Sequence, residues 1–158
     1  MNEGMTLKRA RSAAYKMLAA RARSRSQVFE ALRRKGADEE TAATVLTELQ
    51  EAGYVDDREY AKQAVRANIE KKPCGPHYLR AVLARAGIAR ELTEEIILET
   101  IPPENEYALA VEFVRTLVRR GETSPAKAMR KLANRGFSAT VIHRAVEEEF
   151  CKNLDIMS

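Results

Sequence analysis

The side chains with the most chemical potential in this sequence are guanidinium and ammonium groups, and they occur in clusters. Arg21, Arg23, Arg25, Arg33, Arg34 and Lys35 form the densest cluster, Arg80, Arg85 and Arg90 a second, and Lys127, Arg130, Lys131 and Arg135 a third. Arginine outnumbers lysine in these stretches, which suits bidentate pairing with phosphate or carboxylate. Few aromatic residues lie between the cations, so stacking on single-stranded bases is poorly supported. Other chemistries lack their residues. His77 and His143 have no HExxH and no spaced cysteine partners, so they read as ordinary surface or helix residues rather than zinc ligands. Cys74, in the turn Lys-Lys-Pro-Cys-Gly-Pro, lies near positive charge but has no general base close in sequence, and Cys151 beside Phe150 reads as a small apolar residue. Asp56 and Asp57 could form a carboxylate pair, but helix capping explains them with fewer assumptions. No P-loop, GxGxxG or GxSxG stretch occurs. The sequence points to no catalytic residue, no metal and no cofactor, and so to a binding protein rather than an enzyme.

The elements that position these cations are repeated. Leu-x-x-x-Gly occurs at Leu32–Gly36, Leu83–Gly87 and Leu132–Gly136, spaced 51 and 49 residues apart. After each glycine, apolar or small residues return at the same offsets: Ala37, Thr41, Val45 and Leu46; Ile88, Leu92, Ile96 and Ile97; Phe137, Val141, Ala145 and Val146. That period is one face of an α-helix. One turn before each leucine stand Val28, Leu79 and Ala128, and further upstream the N-cap candidates Ser24, Gly75 and Ser124. Ser24 and Gln27 make a capping box, while Pro76 and Pro125 suit the first helical position. Each glycine suits the left-handed residue that ends a helix, and Asp38 and Ser138 can cap the helix that follows. Earlier helices are expected over about 7–22, 57–71 and 105–120, carrying Leu7, Ala14, Tyr15, Leu18 and Ala22, then Tyr60, Ala61, Ala64, Val65 and Ile69, then Tyr107, Val111, Val114, Leu117 and Val118. Asp56 and Asp57 can cap the second of these and Asn105 the third. No strand pattern is present. The expectation is an all-α chain of three tandem three-helix repeats, divided as 1–55, 56–103 and 104–158, forming an elongated, curved molecule.

Charge follows the repeat. The 158 residues carry a net charge of +4, with a pI near 9.2. Segment by segment the net charge runs +8 over 1–36, −7 over 37–60, +6 over 61–90, −7 over 91–112, +7 over 113–146 and −3 in the tail. The first two helices of each repeat are basic and the third is acidic. Stacked in one orientation, the repeats would align positive stripes that attract an anionic partner. Equally, the acidic helices could neutralise basic neighbours across packing contacts. With no long apolar run and no apolar segment after the basic start, a soluble cytoplasmic protein is expected. Two cysteines cannot form a disulfide framework.

Several stretches resemble one known family. Gly53-Tyr54-Val55-Asp56-Asp57-Arg58-Glu59-Tyr60-Ala61 looks like the Gly-Tyr-Leu-Asp-Asp-x-x-Phe/Tyr-Ala stretch of the RecX proteins. Leu18 through Arg21 to Ser24, followed by Leu32-x-x-Lys35-Gly36, is similar to their Leu-x-x-Arg-x-x-Ser…Leu-x-x-Lys-Gly pattern. Gly75-Pro76 with Leu83 and Gly87-Ile88 matches the second unit, and Leu132 with Arg135-Gly136-Phe137-Ser138 the third. The resemblance covers roughly residues 10–148. It implies a regulator of the RecA recombinase, acting in DNA repair, recombination and the SOS response. Such a protein lies in the groove of the RecA–DNA filament, spans neighbouring protomers, and suppresses ATP hydrolysis and strand exchange. The expected partners are the RecA filament and, in its groove, single- or double-stranded DNA, with no membrane and with the chain acting as a monomer. Charge clustering then nominates Arg21, Arg23, Arg25, Arg33, Arg34, Lys35, Arg80, Arg85, Arg130, Lys131 and Arg135 as partner contacts. The competing reading is a direct DNA-binding protein that uses helix-turn-helix-like units, and a plain helical scaffold is a third.

Overall fold

The computed structural model describes residues 4–157. It contains α1 (Leu7–Ala20), α2 (Arg25–Arg34), α3 (Glu39–Glu51), α4 (Asp57–Lys71), α5 (Pro76–Arg85), α6 (Arg90–Thr100), α7 (Pro103–Arg119), α8 (Pro125–Asn134) and α9 (Ala139–Met157), with no strand among the described residues. The helices pack in triplets, α1 to α3, α4 to α6 and α7 to α9. Each triplet has its own apolar cluster, centred on Val28, Leu32, Val45 and Leu46, then on Leu79, Leu83, Ile96 and Ile97, then on Val114, Leu132, Ala145 and Val146.

The repeat offsets explain this packing. Leu32, Leu83 and Leu132 are fully buried. At each post-glycine set the first, third and fourth positions are buried, and the second (Thr41, Leu92, Val141) is half-buried. The middle helices end as the glycines require. Gly36, Gly87 and Gly136 have positive φ, and the next residue's N–H reaches back to the leucine carbonyl, as in Ala37 to Leu32 at 3.0 Å. The Ser24–Gln27 capping box is formed, and the Asp38 carboxylate accepts from the Thr41 amide at 2.7 Å.

Three local expectations need correction. α7 begins at Pro103, so Asn105 lies inside the helix and caps nothing. Proline's fixed φ suits the first helical position, which moves the start two residues upstream. Of the two aspartates, Asp56 alone caps α4, its Oδ1 accepting from Glu59 at 3.2 Å, while Asp57 Oδ1 accepts from the Arg25 amide of the first triplet at 2.7 Å. In α1 the core-facing residues are Ala10, Ala14 and Met17. Leu7 and Tyr15 are exposed, and Ala22 lies beyond the helix end.

Consecutive triplets meet through their middle helices, end to end. The amides of Gly75 and His77, at the start of α5, donate to the Arg135 and Gly136 carbonyls at the end of α8, at 2.8 and 3.0 Å. At the start of α2, Ser26 Oγ donates to the Gly87 carbonyl at 3.2 Å and Ser24 Oγ to that of Ala86, at the end of α5. At α5 the orphan amides that open one helix thus meet the orphan carbonyls that close another, and at α2 serine hydroxyls take the amides' place. The chain exposes 10137 Å², against about 7,900 Å² for a compact monomer of 17.7 kDa. That excess is what an elongated stack produces.

Candidate partner-binding surface

Part of the acidic charge of the third helices is paired inside its own triplet. Arg11 of α1 makes a two-pronged pair with Glu48 of α3 at 2.8 and 2.9 Å. Arg58 of α4 reaches Glu95 and Glu99 of α6, and Arg115 of α7 reaches Glu149 of α9 at 3.2 Å. In all three triplets, therefore, an arginine of the first helix pairs with acidic residues of the third. The hydrogen bond from Arg11 holds the Glu48 carboxyl below the usual carboxylate range and raises the guanidinium.

The nominated cations divide into two groups. Arg21, Arg25, Arg33, Arg34 and Lys35 are exposed, Arg23 is half-buried, and none forms an ion pair among the described residues. Arg33 and Arg34 donate only to backbone, to the carbonyls of Ala37 and Glu30. Arg85 and Arg130 are likewise exposed without an ion pair. Arg23 has its Nε buried with no partner. The remaining three are already engaged. Arg80 forks onto Glu94 at 2.7 and 3.1 Å, and Lys131 reaches Glu122 at 3.0 Å. Arg135 stacks over the Tyr78 ring at 4.3 Å and donates to the carbonyls of Pro73 and Lys72 at 3.2 and 3.1 Å. It is a clamp between triplets.

Three cations outside the nominated contacts also meet, and of these Lys127 alone belongs to a sequence cluster. Lys72, Arg120 and Lys127 line an open cleft of about 690 Å³ with Lys131 and Arg135, over a floor that includes Phe113 and Leu117. Lys72 Nζ sits 5.4 Å from the centre of the Phe113 ring. Lys72 follows α4, Arg120 follows α7 and Lys127 lies on α8, so no single window of sequence holds all three. Among the described residues no group of His, Cys, Asp and Glu could hold a metal ion, and no helix is long and apolar enough to cross a membrane. Cys74 is fully buried, and burial pushes its thiol up; Cys151 is exposed.

The geometry defines a class: an all-α chain of stacked three-helix units, with exposed cations on its first and middle helices that form no ion pair among the described residues. Within that class the comparisons settle the family. Residues 10–49 match the first three-helix domain of RecX and residues 56–97 the second. The regulatory protein RecX of Amycolatopsis mediterranei (strain U-32) is 33% identical over 147 residues, covering 90% of this chain and 83% of that protein. The regulatory protein RecX of Mycobacterium leprae (strain Br4923) is 34% identical over 146 residues, covering 89% and 85%. The crystal structure of RecX from Lactobacillus salivarius shares the fold with a TM-score of 0.82 at 22% identity, covering 90% of this chain and 95% of that one. A second RecX crystal structure has a TM-score of 0.78 at 25% identity, covering 89% and 73%. This chain belongs to the RecX family, whose relatives are named as regulatory proteins.

Proposed function

We propose that this chain is a mainly negative modulator of the RecA recombinase, working in the cytoplasm in DNA repair, recombination and the SOS response. It lies in the groove of the RecA–DNA filament, spans neighbouring protomers, and suppresses ATP hydrolysis and strand exchange. The observation that carries this reading is the division of charge: first-helix arginines pair with Glu48, Glu95, Glu99 and Glu149 of the third helices, while Arg21, Arg25, Arg33, Arg34, Lys35, Arg85 and Arg130 are exposed and form no ion pair among the described residues. In a family of regulators, that surplus fits an extended anionic fibre. Three units, read as 1–55, 56–103 and 104–158, would each grip weakly and gain from their linkage. The chain needs no catalytic residue or cofactor for this role.

Direct duplex reading by helix-turn-helix units is less well supported. The last helix of such a unit would enter the major groove, and here α3 and α6 carry Glu39, Glu40, Glu48 and Glu51, and Glu91, Glu94, Glu95 and Glu99. The deciding experiment is DNA-dependent ATP hydrolysis by RecA with and without this protein, across a salt series. Inhibition that weakens as salt rises is expected. No inhibition at any salt, even with excess protein, rejects the proposal; tight sequence-specific duplex binding without RecA would favour the second reading.

A further inference from the structure

The two junctions inside the chain use one pair of complementary faces. One face is the start of a middle helix, at Ser24 or Gly75; the other is the glycine turn that ends the next middle helix, at Gly87 or Gly136. The fit is close. A Cβ on Gly136 would lie 2.1 Å from the Tyr78 nitrogen, and one on Gly87 would lie 2.4 Å from Ser26 Cβ. Ser24 and Gly75 are buried by these contacts.

Each kind of face has one copy left over. At the start of α8, Ser124 is half-buried, and Pro125, Ala126 and Lys127 are exposed. At the end of α2, Gly36 is exposed, and none of the described residues lies within 4 Å of the place its Cβ would take. Among the described residues the Gly36 carbonyl meets the segment 4–6, here called the arm: the Met5 amide donates to it at 3.1 Å, as the His77 amide donates to Gly136. The arm thus occupies a position that a helix start takes elsewhere in the molecule.

We propose that this chain docks end to end on a second copy of itself, the Gly36 turn of one copy seating on the α8 start of the next in place of the arm. The interface continues the one already present twice within the chain. Because the faces are different, the contact is head-to-tail and propagates as an open string rather than closing a dimer.

Charge also sets when this happens. Arg33, Arg34 and Lys35 flank one face, and Lys127, Arg130 and Lys131 the other. At low salt these repel and the protein stays monomeric. Screening, or a polyanion laid along the cations, removes the repulsion, so association here strengthens with salt, the opposite of a bridge between unlike charges. The inference rests on the junction geometry and does not depend on the identity of the filament.

The test uses the full chain with the exposed thiol removed (Cys151→Ser) and two separate reporters, Lys35→Cys and Ala126→Cys. The variants are oxidised singly and as an equimolar mixture, at about 0.05 M and 1 M salt. The expected result is a mixed disulfide dimer several-fold more abundant than either homodimer, and more so at high salt. A mixture that gives no more dimer than the single variants at either salt overturns the proposal. Sedimentation equilibrium of the unmodified chain supplies the second readout. Concentration-dependent association at high salt should disappear in Ala126→Trp, a substitution at an exposed residue that leaves the melting temperature unchanged. Association that survives Ala126→Trp, or no association at all, also overturns it. Met5→Pro, which removes the amide covering Gly36, should bring association to lower protein concentration; no shift rejects the arm as a cap.

Discussion

At the scale of single residues, the glycine turns predict different sensitivities. Gly136 holds φ at +80° with the Tyr78 backbone nitrogen 2.1 Å from any added Cβ. Gly136→Ala should therefore cost about 2–4 kcal/mol, combining left-handed strain with a clash against backbone that cannot yield. Gly36 has φ +105° and open space, so Gly36→Ala should cost only about 1 kcal/mol. Urea unfolding midpoints of the two variants check the ranking. The cysteines make a second contrast. Burial and a raised thiol protect Cys74, while Cys151 is exposed, so an aromatic disulfide reagent should titrate one thiol in the native protein and the second only in denaturant. Residues with local partners were legible in the sequence: Ser24 and Gln27, Asp38 and the turn glycines each act within a few positions of themselves. Arg135 was not. Its partners lie 62 and 63 residues away, and its type and neighbours match those of a free surface cation.

At the scale of elements, the acidic helices predict an asymmetric pH response. Hydrogen bonds from Arg11, Arg80 and Lys131 hold the carboxyls of Glu48, Glu94 and Glu122 below the usual range, and the Thr41 amide does the same for Asp38 at the start of α3. For a carboxylate whose folded value is depressed, the stabilisation is fully present above the unfolded value and is lost as pH falls through the folded one. The melting temperature should stay nearly level from about pH 8 to pH 5.5, then fall below about pH 4. The fall should be shallow, because these are surface pairs. A maximum near pH 4 would contradict the assignment. Core substitutions provide the steep counterpart: Leu83→Ala removes a fully buried side chain and should cost about 2–5 kcal/mol by denaturant titration. Most elements were legible from periodicity and punctuation, which act locally. The start of α7 was misplaced because a proline pair ending one connection also opens a helix. The face of α1 was misplaced because Tyr15, apolar enough for a core, packs edge-to-face on Tyr54 at 5.4 Å.

At the scale of the whole molecule, the 51- and 49-residue spacing disclosed the repetition but not how the copies join, since the end-to-end junction is made mostly by backbone groups. Nor could composition separate cations held in clamps from cations left unpaired. That separation now yields a paired prediction. Replacing Arg33, Arg34 and Lys35 together by Ala removes three exposed charges that form no ion pair, so melting should change little while binding to the RecA–DNA filament weakens. The salt dependence then reports what those residues touch. If all three meet DNA phosphates, the slope of log binding constant against log salt should fall by about 2–3, since each phosphate contact contributes about 0.7–0.9. If they meet carboxylates of the protein coat, binding weakens with a smaller change of slope, because no condensed counterions are released from such a surface. Arg135→Ala should behave in the opposite way, lowering the melting temperature through loss of the Tyr78 stack and two carbonyl contacts while the salt slope of the folded fraction stays near that of the unmodified chain. Should the triple variant melt early and still bind normally, the exposed cluster would be structural, and the anionic partner would have to be gripped elsewhere, the cleft of Lys72, Arg120 and Lys127 being the next cations to replace.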